Sequence, residues 1–280
     1  MPKMIYASDE SFVATVEAAH FGRFPIPGTE PEWKIADAAG KTVVTGKLPR
    51  QIVPMGNALP LGEIQTSLEK FKAPGRYTLS VKLSEIVNAW NFWVYPAVLP
   101  EPRGPEVRVV GALDAETAAY LQNGGRVILS ASPGSVRPEK GGAAVVGFSG
   151  IFWNTSWTKN DPPHTLGLLI NPRHPALAGF PTDIFADFQW WDAMTHAQAI
   201  LLSDFGRDLK PIVRIIDDWA KNRPLGLIFE VKVGKGRLIV VGTDLLTGAE
   251  NRPPARQLLH SLKTYAEGGD FSPSVETTVE

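Results

Sequence analysis

Ten residues about a third of the way along the chain, Pro96-Ala97-Val98-Leu99-Pro100-Glu101-Pro102-Arg103-Gly104-Pro105, constrain the fold more than any other stretch. Proline at this density has few amide donors and a fixed φ, which disfavours helix and central strand and leaves an extended, stiff connection. A single sheet or bundle does not run through such a segment, so the boundary between two domains belongs here. At 280 residues the chain is long for one core and comfortable for two.

The two sides differ in texture. Before the seam, short segments alternate polar and apolar residues between turns. Phe12, Ala14, Val16 and Ala18 alternate with Val13, Thr15 and Glu17; Tyr77, Leu79, Val81 and Leu83 share one face after Ala73-Pro74-Gly75. The turn Asp37-Ala38-Ala39-Gly40 separates Trp33-Lys34-Ile35 from Thr42-Val43-Val44-Thr45. Period two with closely spaced turns predicts an antiparallel β-sandwich over 1–97. Its last strand, Trp90-Asn91-Phe92-Trp93-Val94-Tyr95, puts Trp90, Phe92 and Val94 on one face and Trp93 and Tyr95 on the other. At least one of these aromatic faces is expected under a neighbouring domain.

After the linker 98–105 the pattern becomes strand, helix, strand. Val107–Val110 is apolar and β-branched, Asp114 is placed to cap a helix from Ala115, Gly124-Gly125 closes it, and Arg126–Leu129 is a second strand. Further strands are expected at 166–170, 199–202 and 212–216, with a hairpin around Gly234-Lys235-Gly236. A final helix starting near Arg252 or Pro253 would bury Leu258, Leu259 and Leu262. These signals predict an open, mostly parallel α/β domain over 106–267, and a loose tail over 268–280.

The formal net charge is −1 and 20% of residues are charged, so nothing supplies the field that nucleic acid requires. No apolar run approaches the ~20 residues that span a bilayer, and Met1–Tyr6 lacks the basic and apolar regions of a signal peptide. The chain has no cysteine, which removes disulfides, thiolate zinc sites and thiol nucleophiles. No cofactor motif is present, and Gly234-Lys235-Gly236 lacks the phosphate-loop pattern.

Aromatic and polar residues are crowded together in the second half. Phe188-Gln189-Trp190-Trp191-Asp192 is echoed by Phe152-Trp153-Asn154-Thr155-Ser156-Trp157 and Asp217-Asp218-Trp219. Flat apolar faces bordered by hydrogen-bonding groups suit a sugar ring. Trp153, Asn154, Trp157, Gln189, Trp190, Trp191, Asp192 and Arg252 are therefore candidate carbohydrate contacts, with core or domain packing as the alternative for the indoles. Asp217 and Asp218 follow a predicted strand, where open α/β sheets place ligand sites; an N-cap or an ion pair with Arg223 or Arg252 is the competing role. Asp244 is a potential carboxylate partner for them, or a loop cap. His164 with Asp161 offers two ligands, fewer than a metal site needs.

Several stretches carry a family resemblance. Asn88-Ala89-Trp90-Asn91-Phe92-Trp93-Val94-Tyr95-Pro96 resembles the closing strand of the immunoglobulin-like sandwich in bacterial glycoside hydrolase family 2, the β-galactosidase group. Leu113–Thr117, Gly124–Leu129, Asn171–Leu177, Gln189–Asp192, Val213–Trp219 and Gly234–Leu238 resemble the domain that follows it there, which is similar to class I glutamine amidotransferases. The resemblance implies an exported parent protein whose catalytic barrel would lie upstream of Met1. Retaining glycosidases need two carboxyl groups roughly 5 Å apart, and the family's acid/base Glu follows an Asn; this chain contains no Asn-Glu pair. The amidotransferase nucleophile is a cysteine, also absent. The expected role is a non-catalytic accessory module that shapes a sugar site, with carbohydrate or a glycosidase catalytic domain as partner. Two alternatives stay open: a structural or homo-oligomerising module with an apolar patch around Trp93 and Tyr95, and a stand-alone saccharide hydrolase or lyase using Asp217, Asp218, Asp244 or His164.

Overall fold

The structure, a computed structural model, describes residues 1–100, 104–149 and 157–278. It divides into two compact units, Met1–Val98 and Leu99–Glu280.

The first unit holds β1 (Ile5–Ala7), β2 (Ser11–His20), β3 (Ile26–Thr29), β4 (Glu32–Asp37), β5 (Thr42–Lys47), β6 (Gln51–Val53), β7 (Gly56–Ser67), β8 (Gly75–Leu83) and β9 (Ile86–Tyr95). One sheet has the order β1-β9-β8-β4-β5, and β2–β7 and β3–β6 form separate antiparallel pairs. The alternation seen in the sequence does the packing: Phe12, Ala14 and Val16 of β2 and Tyr77, Leu79 and Val81 of β8 are all buried in one core. Aromatic rings knit its centre, with Phe12 and Phe92 centroids 4.5 Å apart and Tyr77 and Phe92 5.7 Å apart. In β9, Phe92 and Val94 join that core and Trp93 and Tyr95 on the opposite face are buried as well, while 86–91 stand exposed and Trp90 lies at the rim beside Val16 and Val81. Trp93 and Tyr95 are buried, so no exposed apolar patch exists at those two residues.

The second unit is built on a mixed sheet of order β10-β11-β16-β15-β14-β12, comprising β10 (Val107–Val110), β11 (Arg126–Ser130), β12 (Thr165–Ile170), β14 (Val213–Asp217), β15 (Leu225–Val233) and β16 (Gly236–Val241). Two short strands, β13 (Ile200–Leu201) and β17 (Glu276–Thr277), also pair with β15. β10, β11 and β16 are parallel, as expected, but β16–β15, β15–β14 and β14–β12 are antiparallel. The expectation of a mostly parallel sheet is thus corrected, and the result is a β-rich α/β fold. The reason lies in the connections: a parallel crossover needs about a dozen residues or more, whereas 218–224 leads straight from β14 into β15 and Gly234-Lys235 turns β15 directly into β16.

Described helices cover the two faces. Helix α1 (Ala115–Gln122) is capped by Asp114, whose Oδ1 accepts the Thr117 amide at 2.7 Å, and its Leu121 packs with Val127, Phe229 and Leu238. Residues one step along those strands face the other way, where Arg126 donates to the Ala266 carbonyl and the Tyr265 hydroxyl donates to Glu230 at 2.7 Å. Both contacts come from α3 (Pro253–Glu267), which buries Leu258 and Leu262. The segment expected as a loose tail is instead anchored. Phe271 is fully buried, Arg237 donates to its carbonyl, the Lys232 amide donates to the Val275 carbonyl, and β17 pairs in parallel with β15.

Candidate functional site

Register places the carboxylates. Val213 of β14 and Val241 of β16 both pair with Ile228 of the intervening β15, so β14 and β16 run the same way and Asp217 and Asp244 emerge at one edge. Two strand spacings separate their backbones, about 10 Å. Each carboxylate already has a local task. Asp217 accepts the Arg223 Nε at 2.7 Å, its second guanidinium nitrogen at 2.9 Å and its amide at 2.8 Å. Burial pushes the Asp217 carboxyl up, but these bonds outweigh it and hold the group below the usual carboxylate range. Asp218 accepts the amides of Ala220 and Lys221. Asp244 accepts those of Leu246 and Thr247; burial acts to raise its carboxyl, and the bonds to Thr247 and Leu246 keep it low.

Glycoside hydrolysis needs one carboxyl held protonated near neutrality. Asp217 and Asp244 are shifted in the opposite sense and are fixed by bonds they would have to give up. The acid that burial does shift upward, Glu230, is turned toward α3 and bonded by Tyr265.

The crevice between the carboxyl ends of β11 and β16 is filled by the protein itself. Ser130 donates to the Thr243 carbonyl at 2.9 Å and accepts the Leu245 amide at 2.8 Å. Thr243 donates to Ala193 O at 2.8 Å, the Gln198 amide donates to Gly242 O at 2.6 Å, and the Asp244 amide donates to His196 O. Residues 193–198 therefore occupy the position where such sheets hold ligands.

The aromatic run divides sharply. Trp190 is fully buried, its Nε1 donates to Thr182 Oγ1 at 2.8 Å, and its ring meets Phe180 edge-on at 5.0 Å. Gln189 is equally buried and donates to Pro181 O. Neither meets solvent, so both belong to the packing rather than to a ligand surface. Trp191, which opens α2 (Trp191–Thr195), is 54% exposed and meets the exposed ring of Phe148 edge-on at 6.0 Å. Asp192 forms a two-pronged ion pair with Arg252, at 2.9 and 2.8 Å, and Arg252 also donates to Thr247 O. That clamp ties α2 to the start of α3 and holds Trp191 on a firm base. Trp157 is exposed, and Trp153 and Asn154 lie outside the described residues.

His164 Nδ1 accepts the Val145 amide at 3.1 Å, which leaves Nε2 as the donor toward Asn160 O. Both nitrogens are thereby used to brace the loop beside β12. Among the described residues no group of three potential metal ligands occurs.

Sequence reasoning passed over Phe148 and Phe185, and named Phe188 only as the first residue of its aromatic run without making it a candidate contact. All three are more than half exposed. Phe148 lies over Gly167 of β12, its Cβ 3.5 Å from where a side chain would begin; a Gly in an otherwise apolar strand was the available signal.

Among solved structures, a crystal structure of β-glucuronidase from Parabacteroides merdae is similar at 15% identity, with a TM-score of 0.23, over 44% of this chain and 20% of that one. The chain thus spans about a fifth of that protein. No curated protein matches it. Residues 10–96 match the family model of a domain of unknown function (DUF8488), and residues 108–280 match that of another (DUF8487). The second match covers more than half of the chain, which therefore belongs to the DUF8487 family.

Proposed function

We propose that this chain is a non-catalytic accessory module that contacts carbohydrate, and that Trp191 with Phe148 forms its sugar-facing surface. The observation that carries this reading is Trp191: a large, flat, half-exposed indole on a helix fixed by the Asp192–Arg252 pair. A sugar ring stacks its C–H face on such an indole. Each Asp192 oxygen keeps a second lone pair for a hydroxyl beyond its bond to Arg252.

The non-catalytic half of the proposal is supported by Asp217 and Asp244, both held ionised by structural bonds, and by the filled crevice between β11 and β16. Assignment to a glycoside hydrolase family 2-like protein, with a catalytic domain as the partner, rests on the sequence motifs described above. A glycan array followed by calorimetry on the full chain tests the binding claim. Trp191→Ala should abolish binding while leaving the melting temperature nearly unchanged. A folded chain that binds no glycan, or one that binds equally well without the Trp191 indole, refutes it.

A further inference from the structure

A second feature of the Leu99–Glu280 unit has no place in that reading. A cavity of about 900 Å3 opens beside β12 and β14, with aliphatic walls from Leu169, Ile184, Leu202 and Leu209. Arg173, Arg207, Lys210 and Arg214 also line it, and among the described residues no Asp or Glu does. The whole chain carries 28 Lys and Arg against 29 Asp and Glu, so four cations without one acid is a local departure from balance. None of the four side chains makes a hydrogen bond or ion pair with a described residue. Asp208, between Arg207 and Lys210 in sequence, does not line the cavity, and Asp204 is engaged by Lys140.

All four residues are exposed, so water screens their mutual repulsion, yet like charges gathered at one hollow leave a positive field that favours an anion, most strongly at low salt. Three of the four are arginines, whose planar forks match carboxylate, sulfate or phosphate with paired hydrogen bonds. They come from separate places: Arg214 from β14, Arg173 from the turn after β12, and Arg207 and Lys210 from the loop before β14. The charges therefore reach the cavity from three separate segments. We infer that this cavity binds a compact organic ligand carrying two or more oxyanion groups, its apolar or ring-shaped body resting on the aliphatic walls. The volume suits a small molecule or a short oligomer. None of the described residues lining the cavity is aromatic, so they supply no stacking platform of the kind that holds single-stranded nucleic acid.

The test is calorimetry and thermal shift on the full chain at low salt. Citrate, pyrophosphate and sucrose octasulfate serve as carboxylate, phosphate and sulfate probes, with the neutral ester triethyl citrate as a control. At least one anionic probe should bind and raise the melting temperature, triethyl citrate should not, and the preferred probe identifies the oxyanion. Arg173→Gln with Arg214→Gln should weaken that binding about tenfold per residue, about a hundredfold together. Lys72→Gln with Lys82→Gln, in the other unit, should leave it unchanged. Arg207→Gln with Lys210→Gln, both on a loop, gives a second reading if the first pair disturbs folding. Absence of binding by every probe, equal binding by both cavity double variants, or tighter binding of a poly-glutamate peptide or an oligothymidine would overturn the inference. Because Trp191 is not in the cavity lining, loss of glycan binding in Trp191→Ala is a separate result.

Discussion

Replacing Arg223 by Ala distinguishes a structural Asp217 from a catalytic one. The Asp217 side chain is 1% exposed and that of Arg223 29%. Removing the guanidinium deletes two charge-assisted bonds and leaves the carboxylate with the Arg223 amide. Breaking a buried ion pair from one side costs about 3–5 kcal/mol; since Arg223 is partly in water, the lower end, about 3 kcal/mol, is expected. For a unit of this size that lowers the melting temperature by about 6–12 °C. The pH dependence has a definite sign. Burial acts to raise the Asp217 carboxyl and Arg223 more than reverses it. A depressed folded-state pKa contributes stability above the unfolded value of about 3.9, and that stability is lost as pH falls through the folded value. The gap between wild type and Arg223→Ala should therefore be widest near neutrality and narrow below about pH 4. Scanning calorimetry of the full chain follows it, with only the transition of the Leu99–Glu280 unit moving. A loss under about 0.5 kcal/mol at pH 7, typical of an exposed pair, or a gap that widens in acid, refutes the reasoning.

The adjacent tryptophans should behave as opposites: Trp190→Ala costs about 3–5 kcal/mol in urea unfolding, as for a large buried aromatic, and Trp191→Ala less than about 1 kcal/mol. Phe271→Ala should cost about 3 kcal/mol, where a residue in a loose tail would cost nothing measurable. Burial raises the Glu230 carboxyl despite the Tyr265 bond, so its stabilising contribution is present below the unfolded value and lost as pH rises through the folded one. Glu230→Gln should therefore match or exceed wild-type stability at pH 7, by up to about 1 kcal/mol, with the advantage disappearing near pH 4 in parallel melts.

What the sequence disclosed was local. The alternation of Phe12, Ala14 and Val16, the Asp114 cap, the Gly234-Lys235 hairpin and the final helix each depend on neighbours within a few residues. Strand direction is another matter: that β14 and β15 are antiparallel follows from the shortness of 218–224, which shows only once the ends of both strands are fixed. Phe271 is a single apolar residue in a polar segment, and its burial depends on Arg237 and Tyr265 from distant elements. Trp190 closes a 3-10 turn and Trp191 opens α2, so they point about 100–120° apart. That angle lets one be buried while the other is exposed, but the stretch is too short for its periodicity to reveal which. The four cations of the cavity lie at 173, 207, 210 and 214 and form no motif; only the return of the chain across β12 and β14 gathers them.

The same two strands join the aromatic surface to the cavity. Gly167 and Leu169 are two apart on β12 and so share a face, with Ile216 and Arg214 of β14 as their partners. Phe148, in contact with Trp191, lies over Gly167, while Leu169 and Arg214 line the cavity. Two residues along a strand cover about 7 Å, so an aromatic platform and a cationic hollow follow one another along a single face. A ligand with a neutral ring and acidic groups a few ångströms away would occupy both, and a ligand confined to either would ignore the other. A double-mutant cycle with Trp191→Ala and Arg214→Gln separates these cases on any anionic saccharide that binds. If one ligand bridges the two, its binding energy should show a coupling of about 0.5 kcal/mol or more between the sites. Strict additivity, with each substitution affecting a different class of probe, would make them independent sites sharing an edge of the sheet.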